Sequence, residues 1–104
     1  MFTVDTRIRV KYYETDQMGV VHHSNYYRWF ETARDEFMRT KGLSYDQMEK
    51  MGFMLPLIES HCFYKKGAKY DDIVIVRSKV TRFKGIRLTM EYDVIREADG
   101  ELLA

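Results

Sequence analysis

The feature that most constrains the fold is a change of hydrophobic period early in the chain. Residues 6–13 alternate between apolar and charged side chains, which predicts a strand with Ile8, Val10 and Tyr12 on one face. Residues 14–23 break this pattern, and Gly19 is the predicted turn point. After the N-cap residue Ser24, helical spacing predicts a helix over residues 25–41. Its apolar stripe consists of Tyr26, Phe30, Ala33 and Phe37, with Trp29 and Met38 beside it.

Strand patterns dominate the rest of the chain. A short helix is predicted at residues 45–51, and strands are predicted at residues 54–64, 72–83 and 86–97. Lys84-Gly85 and Asp99-Gly100 are hairpin signals, and the second leads into a strand that starts at Glu101. One long helix against an antiparallel sheet is an α+β fold. We expect one domain over residues 1–104, with the sheet stopping about one strand early.

Composition narrows the class of protein. The chain has 104 residues and a net charge of +1, from 17 basic and 16 acidic side chains, which argues against a nucleic-acid partner. The single cysteine, Cys62, allows no internal disulfide and is expected to fill the core. We expect no signal peptide, because the first residues lack its apolar run, and no stretch of the sequence approaches 18 consecutive apolar residues. We therefore expect a cytoplasmic protein without membrane insertion.

Three side chains suited to proton transfer lie between the first strand and the helix. They are Asp16, His22 and His23, and a carboxylate close to imidazoles is a common catalytic combination. Taken alone, Asp16 is more typical of a turn aspartate that accepts hydrogen bonds from the next amides. The adjacent histidines do not predict a metal site, because neighbouring side chains in extended backbone point to opposite sides and no second ligand pair has zinc spacing.

The segment over residues 13–26 resembles the active-site segment of the hotdog-fold acyl-CoA thioesterases. It reads Tyr-Glu-Thr-Asp-Gln-Met-Gly-Val-Val-His-His-Ser-Asn-Tyr, and its Asp-x-x-Gly-Val-Val core is fairly specific. It is similar to the 4-hydroxybenzoyl-CoA thioesterase type and to the thioesterase type associated with the Tol-Pal cluster. Tyr70-Asp71-Asp72 continues the match, whereas Gly67 departs from it because the family usually has proline there. The resemblance implies a hotdog fold, in which an antiparallel sheet wraps a long central helix.

The resemblance also implies a mechanism. Asp16 falls on the family's catalytic carboxylate, which acts as the nucleophile on the thioester carbonyl or as the general base for water. The backbone N–H of His23, at the helix N-terminus, would polarise the thioester oxygen. Asn25 would hold the attacking water or Asp16.

Further residues are expected to bind the substrate, and the family implies an acyl-CoA. The residues expected to contact the acyl group or to shape the active-site loop are Tyr13, Gly19, Val20, His22 and Tyr26. Phe30 is expected to line the same apolar groove. Arg82 and Lys84 match the position of the basic residues that bind the CoA phosphates. No cofactor and no metal is expected, and the partner is a second copy of the chain in a homodimer or homotetramer.

Three alternatives remain open from the sequence. One is another hotdog reaction, such as hydration or dehydration of acyl thioesters, which uses a different arrangement of histidine and acid. Another is a non-catalytic acyl-CoA-binding module, and the third is an inactive fragment. The sequence does not determine the acyl-chain preference.

Overall fold

The computed structural model describes residues 3–40, 60–84 and 87–104, with side chains throughout these ranges except at positions 82–84, 87 and 88. The elements in chain order are β1 (Thr3–Arg9), a 3-10 turn (Tyr12–Glu14), α1 (Ser24–Thr40), β2 (Ile73–Lys84) and β3 (Arg87–Arg96). The predicted helix at 45–51, positions 54–59 of the predicted strand and the turn at position 85 lie outside the described residues.

The sheet has the order β1-β2-β3, and both pairs are antiparallel. Val76 in the central strand pairs with Thr6 on one side and Val94 on the other. Side chains of a strand alternate between faces, so Val74, Val76 and Val94 all point inward and are fully buried. The alternation predicted for β3 is confirmed where side chains are described, with Thr89, Glu91 and Asp93 exposed.

Helix α1 lies on the inner face of the sheet and buries the predicted stripe. Tyr26, Trp29, Ala33 and Phe37 are at most 4% exposed. Phe30 is less buried, and its ring stacks on Tyr92 of β3 with a centroid distance of 4.8 Å. The helix begins one residue before the predicted start and is described as far as Thr40, the last described residue before position 41. This described helix falls short of the length and apolarity that a membrane span requires.

The predicted hairpin after β3 is confirmed. Gly100 has a φ of +72°, which favours glycine, and the chain returns to form a bridge between Ile95 and Leu102. The Leu103 N–H donates to the carbonyl oxygen of Val94 at 2.7 Å, and the Leu103 side chain is fully buried. Residues 101–104 therefore extend the antiparallel pairing beyond β3.

The first strand is shifted toward the N-terminus relative to the predicted range of residues 6–13, since it already includes residues 3–5 and lacks residues 10–13. β1 ends at Arg9, and Val10 instead exchanges backbone hydrogen bonds with Asp71 and Asp72. The Glu14 carboxylate accepts from the Lys11 N–H at 2.8 Å, which curls the chain into the 3-10 turn. Tyr12 is consequently 76% exposed and does not continue the inner face.

The predicted strand at 54–64 is wrong over residues 60–64, which have no strand pairing. Tyr64 in this stretch contacts the start of α1 through its side chain, with its ring 5.1 Å from that of Tyr26. The chain then meets the C-terminal segment, because the Lys65 N–H donates to the Leu103 carbonyl at 2.9 Å.

Candidate active site

A short hydrogen-bonded ribbon carries the predicted catalytic residues. Thr15 and Val21 form an isolated antiparallel bridge. Beyond it, toward the loop tip, the Asp16 N–H donates to the Val20 carbonyl at 2.8 Å. On the other side, toward the helix, the His22 N–H donates to the Glu14 carbonyl at 2.8 Å. The ribbon thus joins the Asp16 loop and the start of α1 in one unit.

Asp16 occupies the first position of a tight turn. Its Oδ1 accepts from the Met18 N–H at 2.8 Å, and its carbonyl accepts from the Gly19 N–H at 3.0 Å. Gly19 has a φ of +79°, which L side chains rarely adopt. Asp16 therefore has the turn role expected of it, but its side chain is half-buried and the described residues offer Oδ2 no hydrogen-bond donor.

Residues 67 and 68 support the ribbon from behind. The Val21 N–H donates to the Ala68 carbonyl at 2.8 Å, and Ala68 is fully buried. A Cβ on Gly67 would lie 2.8 Å from Cγ1 of Val20, a separation that real Cβ atoms essentially never show. Glycine at position 67 therefore lets this segment approach the loop closely.

The histidine pair does not have the predicted geometry. The rings of His22 and His23 stack with a centroid distance of 4.2 Å, because the chain turns into the helix here and is not extended. The Ser24 N–H lies 3.3 Å from His22 Nδ1 and its hydroxyl 2.9 Å from the same atom. A backbone N–H can only donate, so Nδ1 is the acceptor in the contact with the Ser24 N–H.

The backbone of His23 is at the helix N-terminus, as predicted. Its carbonyl accepts from the Tyr26 N–H at 3.2 Å and from the Tyr64 hydroxyl at 3.3 Å. Within the described parts of the chain, its N–H meets no acceptor. Ser24 is the first helical residue, and the contact found for its hydroxyl is with His22.

Asn25 lies beneath the ribbon and is 6% exposed. Its amide nitrogen donates to the carbonyl of Glu14 at 2.9 Å and to that of His22 at 3.3 Å. These contacts hold the loop backbone, and the described contacts include none between Asn25 and Asp16. The role of Asn25 in orienting water stays a prediction.

Glu14 is a residue that sequence reasoning missed. It is 5% exposed, and its Oε2 accepts from the indole Nε1–H of Trp29 at 2.9 Å while its Oε1 accepts from the Lys11 N–H. The spacing of Lys11 and Glu14 is that of a capping box, in which an acid reaches back to the N–H three residues earlier. The spacing of Lys11 and Glu14 is therefore the sequence signal that indicates this hydrogen bond.

The predicted acyl-binding residues have different surroundings. Tyr13 is 76% exposed and borders a groove of about 420 Å³ between β1 and α1, which Arg9, Lys11 and Arg28 also line. Tyr26 is 2% exposed and packs between Trp29 and Tyr64 in the core, where burial raises the pKa of its phenol. The structure therefore places Tyr26 in the core, whereas Tyr13 and Val20 are at or near the surface.

Two basic residues and one cysteine complete the predicted set. Arg82 and Lys84 belong to β2 beyond an irregularity at Val80–Arg82, and their side chains are not among those described. Their role in binding phosphate stays a prediction. Cys62 packs against the core, and burial raises the pKa of its thiol, which disfavours the reactive thiolate.

Comparisons with known proteins find similarity to esterases and thioesterases. The model of a family described as the thioesterase-like superfamily matches residues 10–104. A putative esterase of Aquifex aeolicus is 45% identical over 91 residues, which are 88% of this chain and 71% of that protein. A putative acyl-CoA thioesterase of Bacillus subtilis is 36% identical over 95 residues, covering 91% of this chain and 68% of that protein. The crystal structure of a DHNA-CoA thioesterase from Staphylococcus aureus superposes with a TM-score of 0.93 at 38% identity, covering 99% and 68% of the two chains.

Proposed function

The chain belongs to the thioesterase-like superfamily and has the hotdog fold, and from this premise we propose that it hydrolyses acyl-CoA thioesters to a free acid and CoA. The observation that carries the proposal is the ribbon over residues 14–22. It joins a half-buried carboxylate, Asp16, to the N-terminus of the long helix. Thioester hydrolysis needs these two parts, a nucleophile or base and a donor for the carbonyl oxygen.

Asp16 would act in one of two ways. As a nucleophile, its carboxylate attacks the thioester carbonyl and CoA leaves as the thiolate, which takes up a proton; water then hydrolyses the mixed anhydride and restores the carboxylate. As a general base, it removes a proton from the water that attacks the carbonyl. The hydrogen bond from the Met18 N–H to Oδ1 supports both routes, since it fixes the carboxylate, and Oδ2 meets no donor among the described residues.

The backbone N–H of His23 would stabilise the negative charge that develops on the carbonyl oxygen. Its position at the N-terminus of α1 adds the favourable end of the helix dipole. The contacts of the described residues support this role, because they use the His23 carbonyl and leave its N–H without an acceptor. The stacked His22 ring would border the same site.

The substrate would lie over the ribbon. We assign the acyl group to the surface formed by Tyr13, Gly19, Val20 and His22, with Tyr26 supporting the site from the core. Arg82 and Lys84 would bind the CoA phosphates. The protein would act in the cytoplasm as a single domain over residues 1–104 that assembles into a homodimer or homotetramer, and exposed Tyr12, Tyr13, Met18 and Phe63 offer apolar surface for that contact.

The test measures CoA release from a panel of acyl-CoAs with a thiol reagent, for the wild type and for Asp16→Asn. We expect the wild type to release CoA and the variant to lose about 10³-fold in kcat, because the amide neither attacks nor takes a proton. Asp5→Asn is the matched control, since Asp5 is a surface carboxylate that pairs with Arg77, and it should keep wild-type kcat.

Two outcomes would contradict the proposal. Asp16→Asn with kcat within tenfold of wild type would remove Asp16 from the mechanism. A wild type that releases no CoA, yet is stabilised against heat by acyl-CoA, would favour the non-catalytic binding module.

A further inference from the structure

Glu14 is a buried carboxylate for which the proposed chemistry has no direct use. It is 5% exposed and ends the 3-10 turn that precedes Asp16. Both of its oxygens accept hydrogen bonds, Oε1 from the Lys11 N–H at 2.8 Å and Oε2 from the Trp29 indole at 2.9 Å. Neither donor is charged, and no ion pair with Glu14 is found among the described residues. Burying a carboxylate without a cation is costly, so its two hydrogen bonds must be made accurately.

The backbone of Glu14 makes a second pair of contacts. Its carbonyl accepts from the His22 N–H at 2.8 Å and from the Asn25 amide at 2.9 Å. His22 and Asn25 flank His23, whose N–H is the proposed oxyanion donor. One residue therefore connects the chain before Asp16, the chain after it and the first turn of the helix.

The side chain and the backbone of Glu14 both fix the position of the ribbon relative to α1. The carboxylate ties the 3-10 turn to Trp29, which is 2% exposed in the middle of the packed face of α1. Fixing the turn fixes the Glu14 carbonyl, and the carbonyl fixes the ribbon. The separation of Asp16 from the helix N-terminus then follows from these bonds.

We propose that Glu14 is a positioning residue for thioester hydrolysis, in which the buried carboxylate sets the placement of Asp16 relative to the N-terminus of α1. This inference rests on the proposed function. In this role Glu14 acts on the rate through the ribbon and not through contact with the substrate. A displacement of about 1 Å at a reacting group is enough to cost on the order of 10²-fold in rate.

A carboxylate is required because both partners are donors. Glutamine has nearly the same shape but one accepting oxygen, so in Glu14→Gln an NH₂ group faces either the Lys11 N–H or the Trp29 indole. Trp29→Phe removes the indole donor and relieves that conflict. The two substitutions should therefore be non-additive, with Trp29→Phe costing less in the Glu14→Gln background than in the wild type.

The experiment compares Glu14→Gln, Trp29→Phe and the double variant with Val76→Ala. Val76 is fully buried in the central strand and takes part in none of the ribbon's hydrogen bonds, so its truncation should lower stability and leave those bonds in place. At a temperature where each variant is fully folded, Glu14→Gln should lose about tenfold or more in kcat with KM within about twofold. Val76→Ala should keep wild-type kcat despite an equal or larger loss of unfolding free energy.

A second readout does not depend on turnover. Hydrogen–deuterium exchange of peptides covering residues 15–23 reports the His22 N–H, which the Glu14 carbonyl protects. Exchange should accelerate in Glu14→Gln and stay at the wild-type rate in Val76→Ala.

The outcomes separate this inference from the proposed function. Faster exchange together with normal kcat in Glu14→Gln, or unchanged exchange, would overturn the positioning role even if Asp16→Asn is inactive. A wild type without thioesterase activity would overturn the proposed function, and with it the effect on catalysis; accelerated exchange would then support only the anchoring of the ribbon. Additive effects of Glu14→Gln and Trp29→Phe on unfolding free energy would contradict the shared hydrogen bond.

Discussion

The ribbon has two ends with opposite physical character, although their carboxylates are two residues apart in sequence. At the tip, Asp16 is half-buried, with one oxygen held by the Met18 N–H. At the base, Glu14 is 5% exposed and both of its oxygens are occupied. Among the described residues, Asp16 Oδ2 meets no donor and the side chain is partly open to solvent, whereas both oxygens of the buried Glu14 accept hydrogen bonds, from Lys11 and Trp29. The difference shows how a fixed base can support a reactive tip.

The largest expected loss of unfolding free energy comes from placing a charged side chain at the buried end of the ribbon, beside Glu14. In Asn25→Asp, a carboxylate oxygen replaces the NH₂ group that donates to the carbonyls of Glu14 and His22. We expect a loss of about 3 kcal/mol of unfolding free energy at neutral pH, because a buried charge then faces two carbonyl oxygens. Urea unfolding over a range of pH measures this loss.

The pH dependence identifies the cause. The folded protein should raise the pKa of the new carboxyl above its ordinary value of about 3.9, since only the protonated form can donate. The loss should therefore be small below that ordinary value and grow as pH rises through the raised pKa. Asn25→Ala is the control and should lose stability without this dependence. A pH-independent loss in Asn25→Asp would show that the base tolerates charge, and the contrast with the tip would fail.

An intermediate effect is expected at the tip. Gly19 has a φ of +79° and open space around its Cα, so Gly19→Ala should cost roughly 1–2 kcal/mol of unfolding free energy through backbone strain alone. Gly19→Asn should cost less, because asparagine visits this conformation more readily. Urea unfolding of both variants tests the assignment, and an equal loss in the two would point to a cause other than φ.

The smallest effect is expected away from the ribbon, at an exposed carboxylate with a cationic partner. The Arg7 guanidinium makes two hydrogen bonds to Glu97, at 2.6 and 2.9 Å, and lowers the pKa of its carboxyl. The contribution of the pair is present at neutral pH and is lost as pH falls through that lowered pKa. Arg7→Ala should change the thermal midpoint only slightly, and less at high salt, because surface pairs are screened.

A large fall in the thermal midpoint of Arg7→Ala that does not depend on salt would contradict this prediction. It would mean that an exposed carboxylate stabilises the fold as strongly as the buried one at position 14. Glu97→Gln is the matched control, since it removes the same charge pair from the other side.

The fold was predictable where a simple period held. The stripe of α1, the bounds of β2 and β3 and the turn at Gly100 follow from spacing and turn chemistry, and the structure confirms them. The end of β1 was not predictable from period, because Tyr12 continues the alternation and yet lies 76% exposed. The hydrogen bond that the Glu14 carboxylate accepts from the Lys11 N–H overrides the pattern there.

The candidate site divides in the same way. The positions of Asp16 and Gly19 in a turn, and of His23 at the helix N-terminus, follow from local sequence. The stacking of His22 on His23 and the burial of Tyr26 between Trp29 and Tyr64 do not, since each depends on how the chain turns and on distant segments.

The sequence by itself determined which residues carry reactive groups, where the helix begins and which faces are apolar, because these depend on residue type and on spacing along the chain. Only the tertiary structure decided which carboxylate is buried. Glu14 and Trp29 are 15 residues apart, and their hydrogen bond forms because the helix packs beside the end of the first strand. Contacts of this kind depend on distances across the fold, which no local pattern encodes.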